Sequence, residues 1–393
     1  MLEFRRHDIG LFLTVRLESS SVRDMVRILR VVAGFLLLSH SLFAAAPSPT
    51  LEKAKKEAEA KSHVFFTNRE DIIAKAKKEG KLRVLANIEP PTIKATTPAF
   101  VKKYPFIDLY VEETQGTEQM QRRFLAIQSG MAKEWDIIPV STELYSQHLP
   151  YLWKVDVFGM ASHQVLAIPP QMIDPKNRNV MALFSRFQVT AYNKQMLSST
   201  QVPKTWEDLL KPEFKGRKFA ADVRPQEIAA LVPAWGLEKT LEFARRIAAQ
   251  QPIWIRGASR TLTAMMAGEI PLLIGPNFHT VKRAQSKDPA GRLEYVVLEP
   301  VPLRLAPHVA VQLGAQHQHA ALLWLEWMAS PEAQQLADEH EPLASSVYVR
   351  GGVVEKELKG KKLSVSSWDD QSKIEEWQGK IVAAYGFPKA EMK

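Results

Sequence analysis

The 393-residue sequence contains no cysteine. Its absence excludes thiol catalysis, zinc–cysteine sites, iron–sulfur clusters and lipid attachment through a cysteine. No apolar run reaches the roughly 20 residues that span a bilayer. The glycine-rich phosphate loop, G-x-S-x-G, H-E-x-x-H and G-x-G-x-x-G are all missing, which removes the usual nucleotide, hydrolase, zinc-protease and dinucleotide signatures. No cofactor and no catalytic residue is therefore expected. His317 and His319 sit near a helix start, where residues two apart diverge, and His340-Glu341 has no second histidine at helical spacing. No metal centre is expected from them. Charge of one sign is not concentrated either. The 52 Lys+Arg and 43 Asp+Glu give a net +9, but acids and bases are mixed throughout, as on solvated helix faces. A nucleic-acid groove needs clustering with interleaved aromatics, so no nucleic-acid partner is expected.

What is present begins with an address. Arg27 and Arg30 precede the apolar run VVAGFLLLSHSLF (31–43), and Ala44-Ala45-Ala46 follows. Positive, apolar, then small is the order of a secretory signal peptide. Met25 opens this pattern, so residues 1–24 read as a misassigned extension and 25–46 as the signal. The mature chain is expected to be exported, soluble and free in a periplasm.

Residues 47–80 are rich in Lys, Glu and Ala and read as helix, with Gly80 as the stop. KLRVLANI (81–88) reads as a buried strand, Pro90 to Lys103 as helix, Ile107 to Glu112 as strand, Thr117 to Ser129 as helix and Asp136 to Val140 as strand. That alternation predicts a parallel sheet with right-handed crossovers. Further along, strands are expected at 186–193, 218–222, 272–275 and 293–299. Helices are expected from Pro225 through Ala234, at 237–250, 260–267, 314–329 and 368–385, with Ser330 capping another. Trp324 and Trp327, three apart on an apolar helix, read as core.

Ligands of open parallel sheets sit beyond the carboxyl ends of the strands. The loops there, several just before helices with free backbone N–H groups, nominate Glu89, Thr117, Ser141, Arg224, Ser259, Arg260 and Asn277 as ligand-binding residues. Arg224 can fork onto a carboxylate or phosphate, or pair with Asp222. Glu89 can accept from an amine or ligate a cation. Asn277, beside Phe278 and His279, can grip a ligand or cap a helix.

Several ordered motifs carry a resemblance. They are AKKEGKLRVL ending at Leu85, AFVKKYP (99–105), WDIIPVS (135–141), TAYNK (190–194), TWEDLLKPEFKGR (205–217), MMAGEIPLLIG (265–275) and AALLWLEWMASPEAQQ (320–335). Together they resemble a periplasmic solute-binding protein of an ABC importer, of the bilobal type 2 class that includes ferric-iron binders. The resemblance implies an α/β fold of two lobes, each a mostly parallel sheet flanked by helices, with a ligand cleft between them. Lobe 1 would hold 81–185 plus 301–393, and lobe 2 would hold 186–300. It implies a monomer that captures a small-molecule or metal-complex ligand and delivers it to an inner-membrane permease. Ferric binders of this class typically use two adjacent tyrosines after the MMAGEI-like helix. Here the segment reads Gly275-Pro276-Asn277-Phe278-His279, and none of the eight tyrosines adjoins another. An anionic or zwitterionic solute is therefore a second expectation beside a ferric complex.

Overall fold

A computed structural model describes residues 48–114, 117–142, 144–340 and 344–387. The extension and signal peptide expected within 1–46 lie outside the described residues. From Ser48 onward the chain forms one compact unit.

Two helices come first, not one. Ser48 caps Pro49–Ala60, and Asn68 caps Arg69–Glu79 by accepting from the Glu70 N–H at 2.9 Å. Between them Phe65 is buried and Val64 bridges Val155. That apolar anchor breaks the Lys/Glu/Ala pattern. Gly80, at φ 65°, closes the second helix in the left-handed region, where glycine carries no Cβ penalty.

The first sheet contains Lys81–Ala86 (β1), Asp108–Glu113 (β2), Ile137–Val140 (β3), Val180–Ala182 (β4) and His308–Val311 (β11), in the order β2-β1-β3-β11-β4. β1 runs parallel to both β2 and β3, as the alternation of elements predicts. Helices Arg69–Glu79, Pro90–Lys103 and Gln318–Met328 cover one face. Phe100, Leu82, Trp324 and Trp327 are buried there in one cluster. The indole rings are core, as their spacing predicts.

The second sheet contains Ser185–Asn193 (β5), Ala220–Asp222 (β6), Ile253–Ile255 (β7), Leu272–Asn277 (β8), Leu293–Val296 (β9), Val301–Leu305 (β10) and Leu363–Ser366 (β12). Its path is β12-β10-β5-β8-β6-β7, with β9 also on β5. This departs from assigning everything after 301 to lobe 1. β10 pairs with β5, β12 extends β10 in parallel, and Trp377, Ile381 and Tyr385 of helix Ile374–Tyr385 are buried in the core of lobe 2. Only the stretch from about His308 to Val349 returns to lobe 1. Helix 225–234 also departs from its expected form. It is split into Gln226–Ala229 and Val232–Trp235, because Pro233 lacks an N–H and its ring crowds the carbonyl four residues back.

The chain crosses between lobes from β4 to β5, from β10 to β11 and once more after about Val349. The first two crossings hydrogen-bond to each other. Leu183 N donates to Pro307 O at 2.9 Å, and Ala306 N donates to Phe184 O at 3.1 Å.

Candidate functional site

Strand ends from both sheets meet across a cleft. It holds a cavity of about 380 Å³, lined by Thr142, Tyr145 and Ser146 from lobe 1 and by Gln226, Arg304 and Gln371 from lobe 2. Cavities of this size between lobes are the usual place for a small ligand. Tyr145 is not a spare phenolate. Burial pushes its pKa up, and so does its hydrogen bond to Asp174 Oδ2 at 2.5 Å.

The lobe 2 wall is built around arginine. Arg186 on β5 and Arg304 on β10 are direct partners in the antiparallel register. Like charges directly opposite each other in a strand pair repel, and both guanidinium groups also engage other groups. Arg186 Nη1 donates to His279 Nε2 at 2.9 Å. Arg304 donates to Gln226 Oε1 and to Asn277 Oδ1, both at 3.4 Å. His279 is half-buried as a residue, and its pKa falls well below the usual histidine value. Burial is the main cause, followed by the guanidinium groups of Arg186, Arg283 and Arg304. His279 is therefore a neutral ring, held as acceptor to a cation.

Beside this cluster lies a cavity of about 100 Å³ whose lining includes Gln188, Asp222, Arg224, Glu227, Gly275 and Asn277. Asp222 organises one side. Its carboxylate accepts from Gly257 N at 2.7 Å and from Arg224 N at 2.9 Å. It also accepts from Arg224 Nη2 at 3.2 Å.

The expected site residues divide into groups. Arg224 and Asn277 line the small cavity. The Arg224 fork is engaged by Asp222 two residues away, the pairing that competes with ligand binding. Asn277 precedes helix Phe278–Gln285 but makes no side-chain cap and serves Arg304 instead. Ser141 is buried at the end of β3, next to Thr142 in the large cavity. Ser259 lines a separate groove of about 140 Å³ with Thr280 and Arg283. Arg260 is exposed and lines neither cleft cavity. Thr117 begins helix Thr117–Gln128, and its side chain lies outside the described residues.

Glu89 answers a residue of the protein rather than an amine. Its Oε1 is 3.1 Å from Arg283 Nη2 on the opposite lobe, and both side chains are partly exposed, at 27% and 40%. Such a pair is worth about 0.5 kcal/mol, which still acts on lobe closure. Glu89→Gln is expected to shift the unliganded population toward open by roughly twofold at low salt. Small-angle scattering would read this as a larger radius of gyration. An unchanged radius at low salt would mean that the pair does not hold the lobes.

His317 and His319 go to separate carboxylates. Nδ1 of His317 is 2.8 Å from Asp136 and Nδ1 of His319 is 2.6 Å from Glu79. Burial alone would raise the Glu79 pKa, but bonds from His319 and Ala320 outweigh it and the net shift is down. Both histidines thereby fasten helix Gln318–Met328. Among the described residues no cluster of three or more His, Asp or Glu side chains is placed to hold a metal ion.

Sequence reasoning missed Arg186, Arg304, Gln188 and Glu227. Arg304 did leave a signal, a single arginine inside the otherwise apolar strand VPLRL, whereas Arg186 sits near the start of the mixed strand SRFQVTAYN. Their juxtaposition depends on strand pairing across 118 residues of chain.

Comparison with known proteins gives a consistent picture. Residues 154–373 match the family model for bacterial extracellular solute-binding proteins. An Fe(3+)-binding periplasmic protein of Serratia marcescens is 23% identical over 221 residues, which are 53% of this chain. The match spans 63% of that protein's length. A Trichodesmium protein solved with iron and citrate ligands superposes with a TM-score of 0.63 at 18% identity, covering 79% of this chain and 100% of that one. A periplasmic binding protein of Actinobacillus pleuropneumoniae with fructose-6-phosphate bound gives 0.55 at 16%, covering 79% and 99%. These likenesses show the bilobal type 2 fold. With more than half of its length matched by the family model, this chain belongs to the bacterial extracellular solute-binding proteins.

Proposed function

We propose that this protein is the periplasmic substrate-binding component of an ABC importer. It captures a small solute with an anionic group in the interlobe cleft and passes it, chemically unchanged, to a membrane permease. The observation that carries the reading is the register pairing of Arg186 with Arg304 beside neutral His279. A bound anion offsets that like-charge juxtaposition through charge-assisted hydrogen bonds.

A ferric ion held by a tyrosine pair fits the site poorly. Phe278-His279 stands where the pair is expected, and burial, with the bond to Asp174, pushes the pKa of the cleft phenol of Tyr145 up. A ferric complex would be gripped through the anionic groups of its chelator. An aminophosphonate, the zwitterion that Glu89 suggests, loses its amine partner to Arg283.

A thermal-shift panel tests the reading. It holds phosphate esters, phosphonates, ferric citrate, polyamines and thiamine. An anion at 100 times its dissociation constant is expected to add about 2.7 kcal/mol of stability. Arg304→Ala is expected to weaken its binding by about 10- to 100-fold in calorimetry, the loss of a charged hydrogen bond. Stabilisation by polyamines or thiamine alone would overturn the anionic reading. Conversion of the bound compound on long incubation would favour an enzyme on the same scaffold.

A further inference from the structure

Past Val349 the chain returns to lobe 2, yet one short stretch of it reaches back to lobe 1. Both flanks of that stretch are fixed in lobe 2. On one side β12 pairs with β10, and on the other Trp377 and Ile381 are buried in the lobe 2 core. Between them Trp368 packs on the lobe 1 cluster that contains Val140, Tyr145 and Ala310. Its ring centroid lies 5.0 Å from that of His308 on β11. Its Nε1 donates to the Gln171 carbonyl, also in lobe 1, at 3.3 Å. A capping box closes the turn that presents the indole. The Asp370 carboxylate accepts from Ser367 N at 2.9 Å and from Ser367 Oγ at 2.8 Å. Gln371 continues the same turn, with its backbone N–H donating to Trp368 O at 3.4 Å and its Nε2 to Ser367 O at 3.3 Å. Gln371 also lines the cavity of about 380 Å³.

We propose that residues 367–371 are a strap from lobe 2, and that its clasp, Trp368, holds the lobes together in the unliganded protein and fixes one wall of the cavity. A rotation that carries β12 and helix Ile374–Tyr385 away from lobe 1 pulls the indole off His308 and Gln171. Burying part of an aromatic ring against another ring favours the state in which the two touch. The strap therefore acts in the same direction as the Glu89–Arg283 pair, by different physics. That pair joins two partly exposed charges, which salt screens. An apolar ring contact is left in place by the same salt. The cavity wall follows the strap. Gln371, Ile374 and Gln378 line it from the strap and the helix beyond, and Thr142 and Tyr145 line it from lobe 1. His308 meets Tyr145 as well, nearly edge-on with ring centroids 6.0 Å apart. One imidazole thus touches both the clasp and a phenol of the cavity wall. Trp368 is a positioning residue, acting on the cavity through Gln371 and His308. The strap works in the empty protein, whatever the charge of the solute.

Interlobe distances measured between two spin labels on the intact protein test the strap. The chain has no cysteine, so Lys102→Cys in lobe 1 and Lys218→Cys in lobe 2, both at exposed positions, take one label each. Distances are read without ligand in about 0.5 M sodium chloride, where the Glu89–Arg283 pair is screened. The protein with its strap unaltered is expected to populate a short distance. Trp368→Ala should move the ratio of long to short distances roughly three- to tenfold toward long, the size of one aromatic pair. Trp368→Phe keeps a ring against His308 but loses the bond to Gln171, and should fall between. Asp370→Ala opens the capping box while leaving the indole, and should move the ratio the same way by less. Circular dichroism checks that each variant keeps its fold, and if Trp368→Ala does not fold the other two decide. A ratio that none of the folded variants moves would overturn the strap, because Trp368 would then lie on the hinge axis and hold nothing shut. A purely long distance before any strap substitution would overturn it too, since the clasp would not be engaged.

Discussion

Gly275→Ala is expected to destabilise the protein by about 3 kcal/mol or more, read as a lower urea midpoint at unchanged slope. Two effects add. Gly275 sits at φ 71°, a region that alanine enters only with strain. The new methyl would also fall 2.2 Å from the Glu227 Cβ and Cγ. These atoms are near the backbone, so a side-chain rotation cannot clear them. Glu227 in turn belongs to helix Gln226–Ala229 and is itself buried. Gly268→Ala separates the two effects. Gly268 has φ 84° with nothing within 4 Å of an added Cβ, so it should lose only about 1 kcal/mol from backbone strain. If both variants lose the same amount, the close approach to Glu227 contributes nothing.

Arg69→Ala is the second large effect, about 3 kcal/mol lost in urea unfolding. Arg69 grips the nearly buried carboxylate of Glu326 from two nitrogens, with Nη2 to Oε2 at 2.8 Å, and also donates to Tyr104 Oη at 3.0 Å. Truncation leaves Glu326, whose side chain is 6% exposed, held by the Ala167 N–H at 2.8 Å. The penalty comes from an uncompensated buried charge more than from the lost attraction. The double variant Arg69→Met with Glu326→Leu should therefore recover much of the loss. If Arg69→Ala costs under about 0.5 kcal/mol, the pair behaves as a surface ion pair and does not clamp helix Arg69–Glu79 onto helix Gln318–Met328. Ligand affinity should change little in either case, since this clamp lies in the lobe 1 core.

The local physics of this chain was legible where one residue type or one period decides the outcome. Gly80 ends its helix, Ser330 caps the next by accepting from Ala333 N at 3.3 Å, and the alternation from 81 to 140 folds as parallel β1, β2 and β3. The apolar spacing of Trp324 and Trp327 put them in the core. The ordered motifs carried the family resemblance, and residues at the strand ends of both sheets line the cleft. The individual site residues were much less legible. Glu89, Arg224 and Asn277 are polar loop residues that any reading would nominate. Their hydrogen bonds go to Arg283, Asp222 and Arg304, partners that sequence spacing does not reveal except for Asp222.

The rest depended on long-range pairing. Short strands such as His308–Val311 and Leu363–Ser366 have too few residues for a period to stand out, and they are strands because neighbouring strands pair with them, β11 between β3 and β4 and β12 at the edge beside β10. That pairing alone decides that residues after 350 belong to lobe 2, and it alone sets Arg186 opposite Arg304. The sequence by itself determined the local elements and the family. The tertiary structure decided which buried groups face one another, because side-chain charge and burial become a site only when strands distant in the chain share one register.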